Sequence, residues 1–266
     1  MNRMLKISLI SVTYNAEKTL PVTLESVFRQ DYTNIEHIIV DGASKDNTAN
    51  LAIEYLQQSD ESDNGHNVIF ISERDNGIYD AMNKGLKAAT GDFVCFLNAG
   101  DSLPDESTLS SMLKEIKYPY PAVIYGHTDI VDANRHFLHK RHLTPPDNLS
   151  WQSFKDGMLV CHQAFYALRD VAQQELYDLR YKYSADFDWC IRVMKRAEDL
   201  ELTFHNSRMV LANYLQEGTT TENHLASLKE RYKIMQHHYG SITTFIKHLG
   251  FIFRNLKVCS INSKMI

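Results

Sequence analysis

The chemistry of this 266-residue chain is best sought in its isolated acids. Asp101 leaves the apolar run Phe93-Val94-Cys95-Phe96-Leu97 through Asn98-Ala99-Gly100, so one carboxylate stands at the exit of a buried strand. Such an acid suits a hard cation, because Mg²⁺ or Mn²⁺ is held by one or two carboxylates while phosphates and waters complete the octahedron. Gly100 lets phosphate oxygens approach the backbone closely. Asp41 ends a second apolar run, IEHIIVD over 35–41, and can either accept a hydrogen bond from a ligand or cap its own turn. In the second half, Asp186 and Asp188 stand in YSADFDWCIRV. Carboxylates two residues apart do not share a helix face, so only one of them enters a cleft. Asp186 is either a helix cap or the general base for an attacking hydroxyl.

The elements that must position these acids alternate along the first half. Apolar, β-rich runs lie at 6–12, 35–41, 68–72 and 93–97, with a short fifth at 123–125. Helical spacing occupies 17–30, about 46–58, 77–90 and 105–117. This alternation predicts a single, mainly parallel sheet with helices on both faces, whose ligands bind beyond the carboxyl ends of the strands. Those ends carry Thr13-Tyr14-Asn15, Asp41, Glu73-Arg74-Asp75 and Asn98 to Asp101. From 126 to 185 the alternation is lost, and a helix follows over 181–196.

Bulk properties narrow the function. The net charge of −5 divides unevenly: 224–266 carries seven Lys/Arg against Glu230 alone, a balance of +6 that leaves −11 for the remainder. An acidic body argues against nucleic-acid binding. No apolar run approaches the roughly 20 residues of a membrane span, and no signal-peptide pattern precedes the first strand. Cys95, Cys161, Cys190 and Cys259 are widely spaced and form no Cys-x-x-Cys pair, as expected of reduced thiols in a cytoplasmic protein. Neither a P-loop nor a Gly-x-Gly-x-x-Gly motif follows the first strand, which disfavours NTPases and dinucleotide oxidoreductases.

Five blocks together carry a resemblance: SLISVTYNAEKTLPVTLESVFRQ, VDGASKDNT, SERDNGIYDAMNKGLKAATGDFVCFLNAGD, the pair His162-Gln163, and SADFDWCIRV. Over about residues 5–220 the chain resembles an inverting family 2 glycosyltransferase of the GT-A type, with particular similarity to enzymes of bacterial exopolysaccharide assembly such as the colanic-acid transferases. The resemblance implies a nucleotide-sugar donor, a glycan or polyprenyl-linked glycan acceptor, and Mg²⁺ or Mn²⁺. It implies a nucleoside site at Thr13, Tyr14, Asn15 and Asp41, and a donor pocket lined by Asp75 and Asn83. Asp101 would then be the metal acid and Asp186 the catalytic base, with His162 and Gln163 near the sugars. Two positions depart from the usual family pattern, Gly42 and Gly100 standing where acids are common, and the subgroup shares both.

The expected organisation is a GT-A domain over 1–220, with a nucleotide-binding half to about 125 and an acceptor half after it, and a basic helical tail over 221–266. Within 241–258, Ile242, Phe245, Ile246, Leu249, Phe253 and Leu256 form a stripe beside Lys247, Arg254 and Lys257. Such a helix can lie in an anionic membrane interface, as a peripheral protein at the inner face of the membrane would require, or dock on its own domain or on a second copy in a homo-oligomer. His136, His139 and His142, with Lys140 and Arg141 among them, read as a basic surface or a phosphate contact rather than zinc ligands. Gly218 to Thr221 could bind phosphate or form an ordinary turn. Two rival functions remain in view. A sugar-nucleotide-forming nucleotidyltransferase lacks its expected Gly-rich basic loop here, and a non-catalytic glycan-binding protein has no need of both Asp101 and Asp186.

Overall fold

The computed structural model describes residues 3–216 and 224–262, with side chains in the second stretch from 225 to 251. The Gly218–Thr221 segment and the side chains of Phe253, Arg254, Leu256, Lys257 and Cys259 lie outside that description.

Strands β1 (Ile7–Thr13), β2 (Ile35–Asp41), β3 (Asn67–Ser72) and β4 (Phe93–Phe96) are parallel, in the order β3-β2-β1-β4. They alternate with helices α1 (Leu20–Phe28), α2 (Thr48–Glu61) and α3 (Ile78–Ala88). β1, β2 and β4 are buried on both faces, which explains their near-continuous apolar sequence. Alternate side chains serve different cores. Ile10, Val12, Ile38, Val40, Val94 and Phe96 pack with α3, whereas Ile7, Leu9, Phe93 and Cys95 pack on the opposite side with α4 (Thr108–Leu113).

Beyond β4 the sheet changes direction. β7 (Phe165–Leu168) runs antiparallel to β4, and β5 (Val123–Val131) antiparallel to β7. β5 then pairs with β6 (Phe137–Lys140) and, in parallel, with β8 (Phe204–Leu215). The expected short fifth strand is thus nine residues long, and the irregular middle contains two further strands. The expected helix at 105–117 contracts to α4, and the helix expected from 181 begins at Ala185 as α6 (Ala185–Asp199), after the single turn α5 (Arg169–Ala172).

Direction decides what reaches the functional edge. The carboxyl ends of β1 to β5 and β8 point one way, and β7, being reversed, brings its amino end there. The 3-10 turn His162–Ala164 that precedes β7 therefore lands beside Asn98–Asp101. Register does the same locally, since Thr13 pairs with Asp41 and Asp41 with Ser72, a single row at the sheet rim.

Of the C-terminal helices, the first packs on the body of the molecule. Helix α7 (His224–Tyr239) buries Ile234 and Met235 in the core shared with α6. Its Tyr239 stacks on Trp151 at 5.4 Å and donates to the Trp151 carbonyl at 2.7 Å. Helix α8 (Ser241–Asn262) buries Thr244 but leaves Ile242, Phe245, Ile246 and Leu249 exposed. No helix among the described residues is long and apolar enough to cross a membrane.

Candidate active site

At the strand-exit edge lies a cavity of about 990 Å³ lined by residues of β1, α3, the β4 exit, the 162–164 turn, α6, β8 and α7. Asp101 and Asp186 both line it, although 85 positions separate them.

Asp101 is seated by three elements. Its backbone follows the left-handed Gly100 (φ 104°), a conformation glycine adopts without strain. Its carboxylate accepts from Gln163 Nε2 at 2.8 Å and from the Leu215 backbone N–H at 3.0 Å. Thr23 Oγ1 donates to its carbonyl at 2.6 Å. Only 5% of the residue is exposed, and burial pushes its acid up to about 6 despite the Gln163 and Leu215 hydrogen bonds. The end of β8 reaches this point through a two-way backbone pairing of Ser102 with Asn213.

Asp186 stands in the first turn of α6. Tyr79 donates to Oδ1 at 3.2 Å, and His162 Nδ1 lies 3.3 Å from Oδ2. The Asn98 amide nitrogen faces His162 Nε2 at 3.3 Å. An amide NH₂ only donates, so Nε2 accepts and Nδ1 carries the proton toward Asp186. Burial alone would raise the Asp186 acid, but the hydrogen bond and electrostatic field of the His162 N–H and the charge of Arg231 outweigh it and hold the carboxyl below its ordinary range. Behind Asp186, Tyr177 stacks between Tyr79 at 5.4 Å and Trp189 at 5.1 Å, and Phe96 packs edge-on against both Tyr177 and Trp189. Adjacent residues of one turn, His162 and Gln163, thus hold the two acids. Asp188, as the helix spacing predicts, turns the other way: it accepts from His238 Nε2 at 2.8 Å and Arg192 Nε at 2.7 Å.

At the opposite end, Thr13, Tyr14, Gly42, Ala43 and Asp75 line the cavity. Asp41 and Asn15 are not among the lining residues. The Asp41 carboxylate is fully buried and accepts from Ser44 N at 3.0 Å, Ser72 Oγ at 2.7 Å and the Ser44 hydroxyl, the turn-capping arrangement. Asn15 (φ 49°) likewise caps the Lys45 N–H at 2.9 Å. Gly42 has a steric reason: a Cβ there would come within 2.5 Å of Asp75 Oδ2. Asp75 therefore occupies the space that a side chain at 42 would claim. Asn83 departs from the expectation that it lines the pocket. It is buried and clamps the Tyr177 backbone, donating to the carbonyl at 3.0 Å and accepting from the N–H at 2.7 Å.

Several cavity residues escaped the sequence reading: Tyr79, Asn98 as the partner of His162, the Leu215 N–H, and Arg231 of α7. A backbone donor carries no side-chain signal, and Arg231 is one of seven cations in its region. His136, His139 and His142 do not share a helix. Two of them stack, His139 on His142 at 5.0 Å, and His136 faces Asp132. No cluster of three or more His, Cys, Asp or Glu able to hold a metal occurs among the described residues. Cys95, Cys161 and Cys190 are buried free thiols.

An ionised carboxylate that shares a cavity with a second acid can accept a proton while the other acid's end holds a phosphate-bearing ligand. Comparisons agree with a group-transfer enzyme of this kind. A PGL/p-HBAD biosynthesis glycosyltransferase of Mycobacterium bovis is 32% identical over 213 residues, 79% of this chain and 77% of that one. The amylovoran biosynthesis glycosyltransferase AmsB of Erwinia amylovora is 28% identical over 216 residues, 78% of this chain and 68% of that one. Among solved structures, S. aureus TarS 1–349 in complex with UDP-GlcNAc superposes with a TM-score of 0.66 at 18% identity, covering 87% of this chain and 65% of that one. The mannosyltransferase PcManGT of Pyrobaculum calidifontis, in complex with GDP-Man and Mn²⁺, gives 0.60 at 13% identity over 99% of this chain and 81% of its own. At such identities the structures speak for the fold, which is the GT-A architecture. Residues 8–176 match the glycosyl transferase family 2. That match spans more than half of the sequence, and the mycobacterial relative extends over most of it, so the chain belongs to glycosyl transferase family 2.

Proposed function

We propose that the protein transfers a sugar from a nucleoside-diphosphate sugar to a hydroxyl of a glycan or polyprenyl-linked glycan, inverting the anomeric centre, with Asp186 as base and Asp101 at the diphosphate. The observation that supports this most is the placement of both acids on one cavity, each held by one of two adjacent residues. The donor class follows the UDP-GlcNAc and GDP-Man complexes of the structural relatives. The acceptor class follows relatives named for the biosynthesis of PGL/p-HBAD and amylovoran.

A divalent cation fits the Asp101 end. Each Asp101 oxygen accepts one hydrogen bond and keeps a further lone pair, and Asn98 Oδ1 is buried without a hydrogen-bond partner among the described residues. Asp101, with the Asn98 amide oxygen, would hold Mg²⁺ or Mn²⁺, the remaining positions falling to phosphates and water. When bound, the ion supplies charge neutralisation for the departing diphosphate. The chain itself does the rest. His162 Nδ1–H and the Tyr79 hydroxyl fix the two oxygens of Asp186. Asp186 takes the proton from the acceptor hydroxyl as its oxygen bonds to the anomeric carbon and the bond to the diphosphate breaks on the opposite face. The transition state has oxocarbenium character. At the rim, Thr13, Tyr14 and Asp75 would receive the nucleoside. Asp41 and Asn15 would shape the loop that receives it.

The exposed stripe of α8 would rest on an anionic membrane at its cytoplasmic face, bringing a lipid-linked acceptor to the cleft. Sedimentation with anionic liposomes should pull down the full chain and not residues 1–240. Equal partitioning of the two would remove the membrane role, and dimerisation lost on truncation would assign the stripe to a second copy.

Thermal shifts with UDP-, GDP- and dTDP-sugars plus Mn²⁺ test the donor assignment. One nucleotide should raise Tm in wild type, and Asp101→Asn should lose the Mn²⁺-dependent part of the rise. The absence of any shift across the panel would refute it.

A further inference from the structure

Among the cations lining the cavity, one near Asp186 has no ligand assigned to it by the proposed mechanism. Of the basic residues lining the cavity, Arg141 is committed to the carbonyls of Leu143, Leu159 and Met158, and His162 to Asn98 and Asp186. Lys45 and Arg74 belong to the loops after β2 and β3, at the nucleoside end. Arg231 differs from all of these. Its guanidinium lies over the Phe187 ring at 5.9 Å, and its Nε is buried without a hydrogen-bond partner among the described residues. The acid next to it on α7 does not neutralise it: Glu230 is occupied by the backbone N–H groups of Lys182, Tyr183 and Ser184. A buried guanidinium donor without an acceptor is a costly group that an anionic ligand would relieve.

We infer that Arg231 binds an anionic group, phosphate or carboxylate, carried by the acceptor beside its attacking hydroxyl. This rests on Asp186 being the base. In an inverting displacement the departing diphosphate and the base stand on opposite faces of the anomeric carbon. Arg231 belongs to the base side: its guanidinium lies over the ring of Phe187, the residue after Asp186, and its charge acts on Asp186 and on Tyr79, which donates to Asp186. The planar guanidinium presents paired donors suited to a phosphate or carboxylate, so the acceptor end of this site selects for charge where a sugar-only site would present neutral hydrogen-bonding groups.

The test uses the full chain, saturated with Mg²⁺ and whichever of UDP, GDP or dTDP binds it, so that the donor's phosphate positions are filled. Methyl phosphate is then titrated at constant ionic strength by calorimetry and thermal shift. Wild type should bind it, Arg231→Gln should bind it about tenfold more weakly, and Arg231→Lys should retain part of the affinity. Nucleotide affinity should change less than about twofold across the three proteins. No methyl phosphate binding in wild type, or equal binding in Arg231→Gln, overturns the inference. A tenfold loss of nucleotide affinity in Arg231→Gln also overturns it, by assigning the residue to the donor diphosphate. If wild type binds none of the nucleotides yet binds methyl phosphate through Arg231, the donor-site reading fails and the anion site stands.

Discussion

Glu230 offers a test of how α7 serves catalysis. Its Oε1 accepts from Lys182 N at 2.9 Å, and its Oε2 from Tyr183 N at 2.8 Å and Ser184 N at 3.1 Å. Those three residues lead directly into α6, and Ser184, at its N-cap, makes no side-chain cap of its own. Glu230 is therefore an external cap two residues ahead of Asp186. Glu230→Gln keeps one carbonyl oxygen, which would turn toward Tyr183 and Ser184 and leave the exposed Lys182 N–H facing an amide NH₂. The cost should be about 1 kcal/mol. Glu230→Ala removes both acceptor oxygens and with them all three hydrogen bonds and, discounted for partial solvent access, should cost about 2–3 kcal/mol, or about 5 °C in Tm. A shift of about 1 Å in a catalytic group can cost roughly a hundredfold in rate, but His162 and Tyr79 still hold Asp186. An approximately tenfold fall in kcat is expected for Glu230→Ala, with the donor KM little changed because Asp101 is seated by β8 and Gln163. Measuring Tm and steady-state release of nucleoside diphosphate for the three proteins decides the matter. A lowered Tm with wild-type kcat would make Glu230 a support of the fold alone, and an unchanged Tm would mean that the cap contributes nothing.

Two further outcomes follow from buried polar groups. His37 is fully buried between Ser11 and Tyr55, and burial, with a smaller contribution from His66, lowers its pKa to about 3. The unfolded chain takes up this proton below about pH 6.5, so stability is full above that value and falls as pH drops toward 3, by about 2 kcal/mol between pH 8 and pH 5. His37→Gln should start less stable and lose that part of the slope in denaturant melts, whereas parallel slopes would contradict a neutral buried His37. Asn83→Ala should lower Tm by about 5 °C through its two lost hydrogen bonds to Tyr177 while leaving nucleotide affinity intact; tenfold weaker nucleotide binding at an unchanged Tm would restore Asn83 to the donor pocket.

The parts of the fold that periodicity reveals were legible. β1, β2 and β4 are apolar because both faces are covered, and α3 shows its stripe because one face meets β1 and β2. β8 was not, for physical reasons. Its sequence, FHNSRMVLANYL, mixes polar residues through a half-exposed strand and bends at Arg208 (φ 58°), next to shifts in its register with β5. Gly126 lies at that bend, where a Cβ would meet the Met209 carbonyl at 2.5 Å, so a residue that reads as a strand breaker permits the close pairing. Helix α7 lies in a region that seven Lys/Arg against one acid mark as basic, and its buried face has Ser227, Ile234 and Met235 alone among the described side chains to announce its packing. At the site, the isolated acids Asp101 and Asp186 carried enough signal to be named. Their supports did not, because Leu215 contributes a backbone N–H, Tyr79 a hydroxyl from an otherwise ordinary helix, and Arg231 one charge among many.

The most direct test of the account is Asp186→Asn, which preserves shape while removing the charge that accepts the proton. Turnover should fall by about 10²–10⁴, with nucleotide affinity within about twofold of wild type and Tm near its wild-type value. Transfer at the wild-type rate in that variant would show that the carboxylate held by His162 and Tyr79 is not the base.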